Sequence, residues 1–211
     1  LELQQIETFG DLQFNIPSIT YTRGNFTGGS MSIRGVSSAA VAASGDGAVA
    51  YHLDSVPLPT SIFETEFYDV ERVEVLRGPQ GTLYGANATA GTVNLIFAKP
   101  TNEASASVEL EYGDYDSRKL KLAMNLPFTD SLRLRFSGMS LRRDGFITNM
   151  FPGKEGEDVD GRKISSYRAI LEADLSENTL ARFTFMNFEE DDNRARAGRQ
   201  MCKMTETPAY G

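Results

Sequence analysis

The sequence has one cysteine, Cys202, and one histidine, His52, in 211 residues. A lone thiol forms no internal disulfide, and so few ligating residues leave no Ser-His-Asp, Cys-His or zinc constellation to consider. Long apolar runs are missing as well. None approaches the ~18 residues that a spanning helix needs; Val93 to Ala98 is among the longest, and Asn94 interrupts it. Helical passage through a membrane is thereby excluded, while passage by alternating strands stays open. Positive charge is also short, with 21 Lys and Arg against 29 Asp and Glu and a net charge of −8. A field of that sign repels phosphate backbones and argues against nucleic acid as a partner. Leu1-Glu-Leu-Gln-Gln lacks an initiator Met, a basic segment and an apolar segment, so a signal peptide is expected to be already gone and both ends cut.

What is present suffices for a core. Apolar residues make up 40 % and charged residues 24 %, neither a disordered tail nor a helical membrane protein. The pattern changes near residue 100. Before it lie short apolar segments closed by Gly, Pro, Asn or Asp: Ser32-Ile-Arg34, Val49 to Leu53, Val70 to Leu76 and Thr92 to Phe97. These predict strands of a small mixed sheet, with weaker helical candidates at Ile62 to Tyr68 and Gly81 to Ala86.

Beyond Lys99-Pro100-Thr101 the chain alternates strictly. Ala104 to Tyr112 places apolar or aromatic residues at even positions and Ser or Glu at odd ones. Lys119 to Leu126, Leu132 to Ser137, Tyr167 to Leu175 and Ala181 to Phe185 repeat the pattern. A period of two sends the two sets to opposite faces of a strand. Pro127 to Ser131 and Ser176 to Asn178 predict tight turns, Arg143 to Lys163 a long polar loop, and Gly113 to Ser117 a short link. Short turns on one side and longer loops on the other are how transmembrane barrels connect strands. The charged face (Lys119, Lys121, Arg133, Arg135, Arg168, Glu172) is polar enough for a wet lumen. A soluble sandwich also alternates, so a soluble binding or adhesion module with an antiparallel sheet remains the alternative. Five strands of ~9–11 residues cannot close a large barrel.

Several motifs lead nowhere. Asp158-Val-Asp160-Gly161 resembles a calcium loop, but an EF-hand frame would put Gly156 and Tyr167 where carboxylates are required. Gly78-Pro-Gln-Gly81 to Gly85 fits neither a dinucleotide fingerprint nor a P-loop. His52 lies within an apolar strand and reads as a packed histidine. Nothing singles out a carboxylate pair for a hydrolase, and no cofactor is called for.

The run Val70-Glu-Arg-Val-Glu-Val-Leu-Arg-Gly-Pro-Gln-Gly-Thr-Leu-Tyr-Gly-Ala-Asn-Ala-Thr-Ala-Gly-Thr-Val-Asn-Leu-Ile-Phe-Ala-Lys-Pro100 resembles the plug signature of TonB-dependent receptors. Ser32-Ile-Arg-Gly35 and Tyr51-His-Leu-Asp54 are similar to two earlier plug segments. Asp54-Ser55 and Ala90-Gly91 depart from the family's common Asp-Gly and Gly-Gly, and the strand ends Phe97-Ala98-Lys99 rather than in a β-branched and basic run. The resemblance implies an α+β plug over 1–100, followed from 103 to 211 by antiparallel strands of a transmembrane β-barrel, incomplete here.

It further implies an outer-membrane active transporter, not an enzyme. It would import a scarce solute, a ferric siderophore first among them, with energy from the inner-membrane protein TonB. Outer-membrane lipid would surround it; the TonB box is absent from this sequence. By motif alignment the outward plug loops are Thr22 to Phe26, Ala40 to Ser44 and Ser61 to Phe63, with Arg23, Asn25, Phe26 and Phe63 expected at the ligand. Arg34 and Arg77, with Glu71 and Glu74, are expected to lock plug to barrel, and the arginines' glutamate partners would lie beyond Gly211. Strand counting puts Cys202 outside the cell, where a disulfide to a later Cys is expected.

Overall fold

The computed structural model describes residues 6–23, 29–37, 47–58, 66–150 and 152–193. Near the start, the Asp11 carboxylate accepts the Thr8 backbone N–H at 2.7 Å and its hydroxyl at 2.8 Å. This caps a short 3₁₀ turn, Phe9–Asp11, that runs into α1 (Leu12–Asn15) and buries Phe9 and Leu12. Strands β1 (Ile19–Arg23) and β2 (Gly29–Ile33) form an antiparallel hairpin whose Ile19↔Ile33 and Tyr21↔Met31 pairs face the core.

A four-stranded sheet of order β4-β3-β6-β5 follows, from β3 (Val49–Leu53), β4 (Val56–Pro57), β5 (Val70–Arg77) and β6 (Gly91–Phe97). β3 and β6 run parallel; the other pairs are antiparallel. All seven residues of β6 are buried, which is why its sequence does not alternate: apolar Val93, Leu95, Ile96 and Phe97 fall on both faces, with Thr92 and Asn94 buried among them. Gly91 is required where β6 starts: a Cβ there would lie 2.3 Å from the Leu76 carbonyl oxygen. The β3–β4 turn puts Asp54 and Ser55 at φ 47° and 70°, positions that Gly or Asn usually takes. Asn94 Oδ1 holds it by accepting the Ser55 N–H at 3.0 Å. Of the two helical candidates, Gly81–Tyr84 forms the one-turn α2. The described part of the other, Glu66 to Tyr68, carries no helix.

The alternating half is one antiparallel meander of β7 (Ser105–Gly113), β8 (Ser117–Thr129), β9 (Leu132–Arg143), β10 (Arg162–Ser176) and β11 (Thr179–Asp192). Each predicted strand is present, and most run longer than expected. Among the described residues β7 and β11 each lack a partner on their outer edge, so the sheet is open.

Its two faces differ. Inward residues such as Ile164, Ser166, Arg168, Ile170 and Glu172 are buried against the N-terminal globule, and Ile170 and Met186 join the globule's own core. Outward residues are apolar and bare; Tyr112 is 78 % and Phe183 66 % exposed. The apolar band ends at Tyr112 on β7, Leu120 on β8, Phe136 on β9, Tyr167 on β10 and Phe185 on β11. Register connects Tyr112 through Arg118, Arg142 and Lys163 to Asp191, six residues past Phe185. Over four strand spacings (about 19 Å) the boundary therefore shifts about 20 Å along the strands. It crosses them at about 45°.

Candidate functional site

The inner face of the sheet carries its cations at alternate positions of three neighbouring strands: Lys119 and Lys121 on β8, Arg133 and Arg135 on β9, Arg162 and Arg168 on β10. Their placement follows from the period of two. Four of them meet carboxylates of the globule, and these come from two places, Glu7 beside the first turn and the segment Glu66–Asp69 that leads into β5.

Lys119 Nζ lies 2.7 Å from Glu7 Oε2 and 3.0 Å from Glu66 Oε2, with Glu111 of β7 at 3.2 Å. Arg162 reaches Glu66 at 3.8 Å and Glu190 of β11 at 3.4 Å. Two residues on, Tyr68 is buried and its ring packs with Met139, Leu141 and Ile164. Ser166 Oγ donates to the Asn187 carbonyl at 2.9 Å, so the Tyr68 hydroxyl is the donor in its 2.7 Å bond to Ser166. Burial pushes the Tyr68 phenol above its ordinary pKa.

Asp69 completes the segment. Its carboxylate takes the Arg135 guanidinium through both Nε, at 2.8 Å, and Nη2, a bidentate pairing that suits Arg better than Lys. Arg168 Nη2 lies 3.5 Å from the same carboxylate and donates to the Asp69 and Tyr68 carbonyls at 2.9 and 3.3 Å. The Arg168 guanidinium carbon sits 3.5 Å from the centroid of the Phe97 ring and 4.9 Å from that of Tyr68. Asp69 itself adopts φ 51°. A kink there turns the chain from the sheet contact into β5.

The linker is fastened separately. Fully buried Asn125 on β8 accepts the Thr101 N–H at 3.0 Å and donates to the Thr101 carbonyl at 2.8 Å. Its amide thus imitates a strand partner for the chain between β6 and β7. Arg133, Glu172, Asp174 and Arg182 pair among themselves within the sheet.

The residues predicted for locking lie elsewhere. Arg34 (φ 55°) and Arg77 are exposed, with no carboxylate partner among the described residues. Glu71 and Glu74 pair with Arg72, and Glu74 also accepts Asn94 Nδ2 at 3.4 Å. Among the residues predicted at the ligand, Arg23 closes β1, while Asn25, Phe26 and Phe63 lie outside the described residues, as does Cys202. His52 is packed, as read: its Nδ1 lies 3.0 Å from Thr92 Oγ1 and its ring 4.8 Å edge-on from Tyr84.

Sequence reasoning had placed Lys119, Arg135 and Arg168 on the polar face but missed Glu7, Glu66 and Asp69. Nothing local marks those carboxylates, because each lies outside a regular strand and its partner is 53 (Glu66 to Lys119) to 112 (Glu7 to Lys119) residues away. A cleft of about 680 Å³ opens between the globule and β11, lined by Asp54, Arg72, Glu74, Asn94, Lys99 and Arg182 among others. Among the described residues no group of three or more His, Cys, Asp or Glu is placed to hold a metal.

The chain is similar to known proteins. The family model described as TonB-dependent Receptor Plug Domain matches residues 1–92. The pesticin receptor of Yersinia pestis is 33 % identical over 145 residues, 67 % of this chain and 21 % of its own length. The ferripyoverdine receptor of Pseudomonas aeruginosa is 37 % identical over 112 residues, 52 % of this chain and 12 % of its own. The crystal structure of the ferric yersiniabactin uptake receptor of Yersinia pestis superposes with a TM-score of 0.68 at 29 % identity, covering 81 % of this chain and 27 % of that one. The chain thus spans about a fifth of the length of the Yersinia relative. Globule and sheet match together and in the same order, and the chain belongs to the TonB-dependent receptor family, as a plug domain followed by antiparallel strands.

Proposed function

We propose that this chain is part of an outer-membrane active transporter of a Gram-negative bacterium, and not an enzyme. It would import a ferric siderophore with energy delivered by TonB. The plug occupies residues 1–100 and the barrel wall begins at 103. The observation that carries the reading is the oblique apolar boundary on the outer face. Strands of transmembrane barrels tilt about 35–45° from the axis, and a boundary crossing these strands at about 45° is level once the sheet is tilted that way. The same sheet turns its charged face to the plug. A soluble binding module would instead leave Val108, Leu110 and Tyr112 at one edge of this face and Phe183 and Phe185 at the other in water, and large exposed apolar surface marks an interaction or membrane site.

In this reading the plug closes the barrel, and TonB remodels it after solute has bound on the outer side. Arg23, Asn25, Phe26 and Phe63 contribute to that outer site, a positive charge and aromatics suited to an anionic or planar solute. Arg34 and Arg77, with Glu71 and Glu74, supply a second set of plug–barrel contacts to parts of the wall beyond these five strands. The iron cargo follows from the likeness to the ferripyoverdine and ferric yersiniabactin receptors.

The test is uptake of radioactive iron by cells that carry the full-length receptor as their sole route for ferric siderophores. Saturable uptake that stops when the proton gradient is collapsed is the expected result. Recovery of the full-length protein in the soluble fraction would overturn the reading.

A further inference from the structure

The inner-wall cations are not equally dependent on the plug. If the segment Glu66–Asp69 leaves the wall, Lys119 keeps Glu111 and Arg162 keeps Glu190, both from neighbouring strands. Arg135 and Arg168 keep nothing: Asp69 is the only carboxylate either one reaches among the described residues. Arg168 is 1 % exposed, and its Nε and Nη1 have no hydrogen-bond acceptor among the described residues. Two guanidiniums thus share one carboxylate, with cationic N–H groups to spare.

We propose that Arg135 and Arg168 form an anion cradle in the barrel wall, in which the Asp69 carboxylate stands in for a carboxylate of the passing solute. A guanidinium does not shed its charge at any physiological pH, so the cradle cannot adapt to losing Asp69 by becoming neutral. Leaving a largely buried cation without its partner is strongly unfavourable. Withdrawal of the plug segment therefore becomes easy only when another anion takes its place. A multidentate anion fits better than Asp69 does, because it also meets the unused N–H groups of Arg168. The inference rests on the transport reading above and narrows it: the solute is an anionic, carboxylate-bearing chelate, not a cationic one. The exchange of plug carboxylate for solute carboxylate is the step at which charge is selected.

The cradle is tested without knowing the solute. Asp69→Gly in the full-length receptor removes a CH₂–COO⁻ group, and the residue's φ of 51° suits glycine. Sodium acetate has the shape of the missing group. About 100 mM acetate is expected to restore at least half of the thermal midpoint lost in Asp69→Gly, while equal concentrations of sodium chloride or acetamide do not. Rescue should vanish in Asp69→Gly/Arg168→Gln. No rescue in a folded Asp69→Gly receptor, or rescue that survives loss of Arg168, overturns the cradle. If Asp69→Gly does not fold, Asp69→Ser with formate asks the same question with a smaller cut and a smaller carboxylate. The solute claim has its own arm: a transported chelate found to be cationic overturns it even if acetate rescues. Acetate rescue in a receptor that moves no iron sinks the transport reading and leaves the cradle standing.

Discussion

Strands β6 and β10 face opposite worlds. β6 buries every side chain on both of its faces inside the plug. β10 buries Ile164, Ser166, Arg168, Ile170 and Glu172 on one face and turns Tyr167, Leu171 and Leu175 outward. In the plug, then, apolar atoms mark the interior. In the sheet the exterior is apolar too, and the interior mixes Ile, Leu and Met with Arg, Lys, Asn and Glu. A hydrophobic pattern identifies a face, and only the surrounding medium says which face is inside.

The sharpest way to break that comparison is to damage each interior by its own rule. Phe9 is fully buried and packs edge-on to Phe67 at 4.9 Å and to Tyr51 at 5.7 Å. Phe9→Ala should cost the plug about 4 kcal/mol through lost burial and a cavity, read as a denaturant midpoint in the full-length receptor. Asp69→Asn comes next. It keeps the shape and deletes the charge that Arg135 and Arg168 share, and about 3 kcal/mol of plug–wall attachment should go with it. Protease protection of the plug would report the change, with the barrel unaffected. Smaller again is Phe183→Arg on the outer face, expected to cost about 2 kcal/mol on refolding into a bilayer. An unchanged bilayer stability would mean that this face meets water, and the inside-out reading of the sheet would be wrong.

The two regions also differed in how much their sequences revealed. Strict alternation is a local property, and every strand of the sheet was legible from it, down to the turn at Glu177-Asn178 and the long connection after Arg143. Plug strands β3, β5 and β6 were legible from apolar runs between breakers, and of β2 only its end at Ser32-Ile33 was. β1 was not, because Ile19-Thr-Tyr-Thr-Arg23 is half polar and owes its place to the register with β2. At the site, periodicity assigned Lys119, Arg135 and Arg168 to the correct face. Their plug partners were illegible for a simple reason: a carboxylate in a loop looks the same whether it meets water or an arginine. Resemblance directed attention to Arg34 and Arg77, whereas the contacts seen here have the opposite polarity, with acids on the plug and bases on the wall. The turn at Asp54-Ser55 shows the same limit in small. A departure from the expected glycine is tolerated because Asn94, some 40 residues away, accepts the Ser55 amide.

The smallest expected effect concerns two adjacent residues of β3, and it separates burial from every other influence on the plug. Tyr51 and His52 are both buried, and burial shifts them in opposite directions: the Tyr51 phenol rises above its ordinary value and the His52 imidazole falls below its own. One cause suffices, since desolvation penalises whichever form carries charge, the deprotonated phenol or the protonated ring. The signs for stability follow. Below about pH 6.5 an unfolded chain takes up a proton that folded His52 refuses, so this residue makes the plug less stable as pH falls. Above about pH 10 an unfolded chain releases a phenolic proton that folded Tyr51 retains, so stability falls as pH rises. Between those limits neither residue contributes a slope. His52→Gln should flatten the acid limb of midpoint against pH by up to one proton and leave the alkaline limb alone; Tyr51→Phe should do the reverse. Thr92 Oγ1 donates to the Ala50 carbonyl at 3.1 Å, so the His52 Nδ1 carries its hydrogen toward Thr92, and Nε2 is where the second proton would have to go. An acid limb that His52→Gln does not move would mean that this nitrogen is protonated in the folded plug, and that the space beside Tyr84 is wetter than its packing implies.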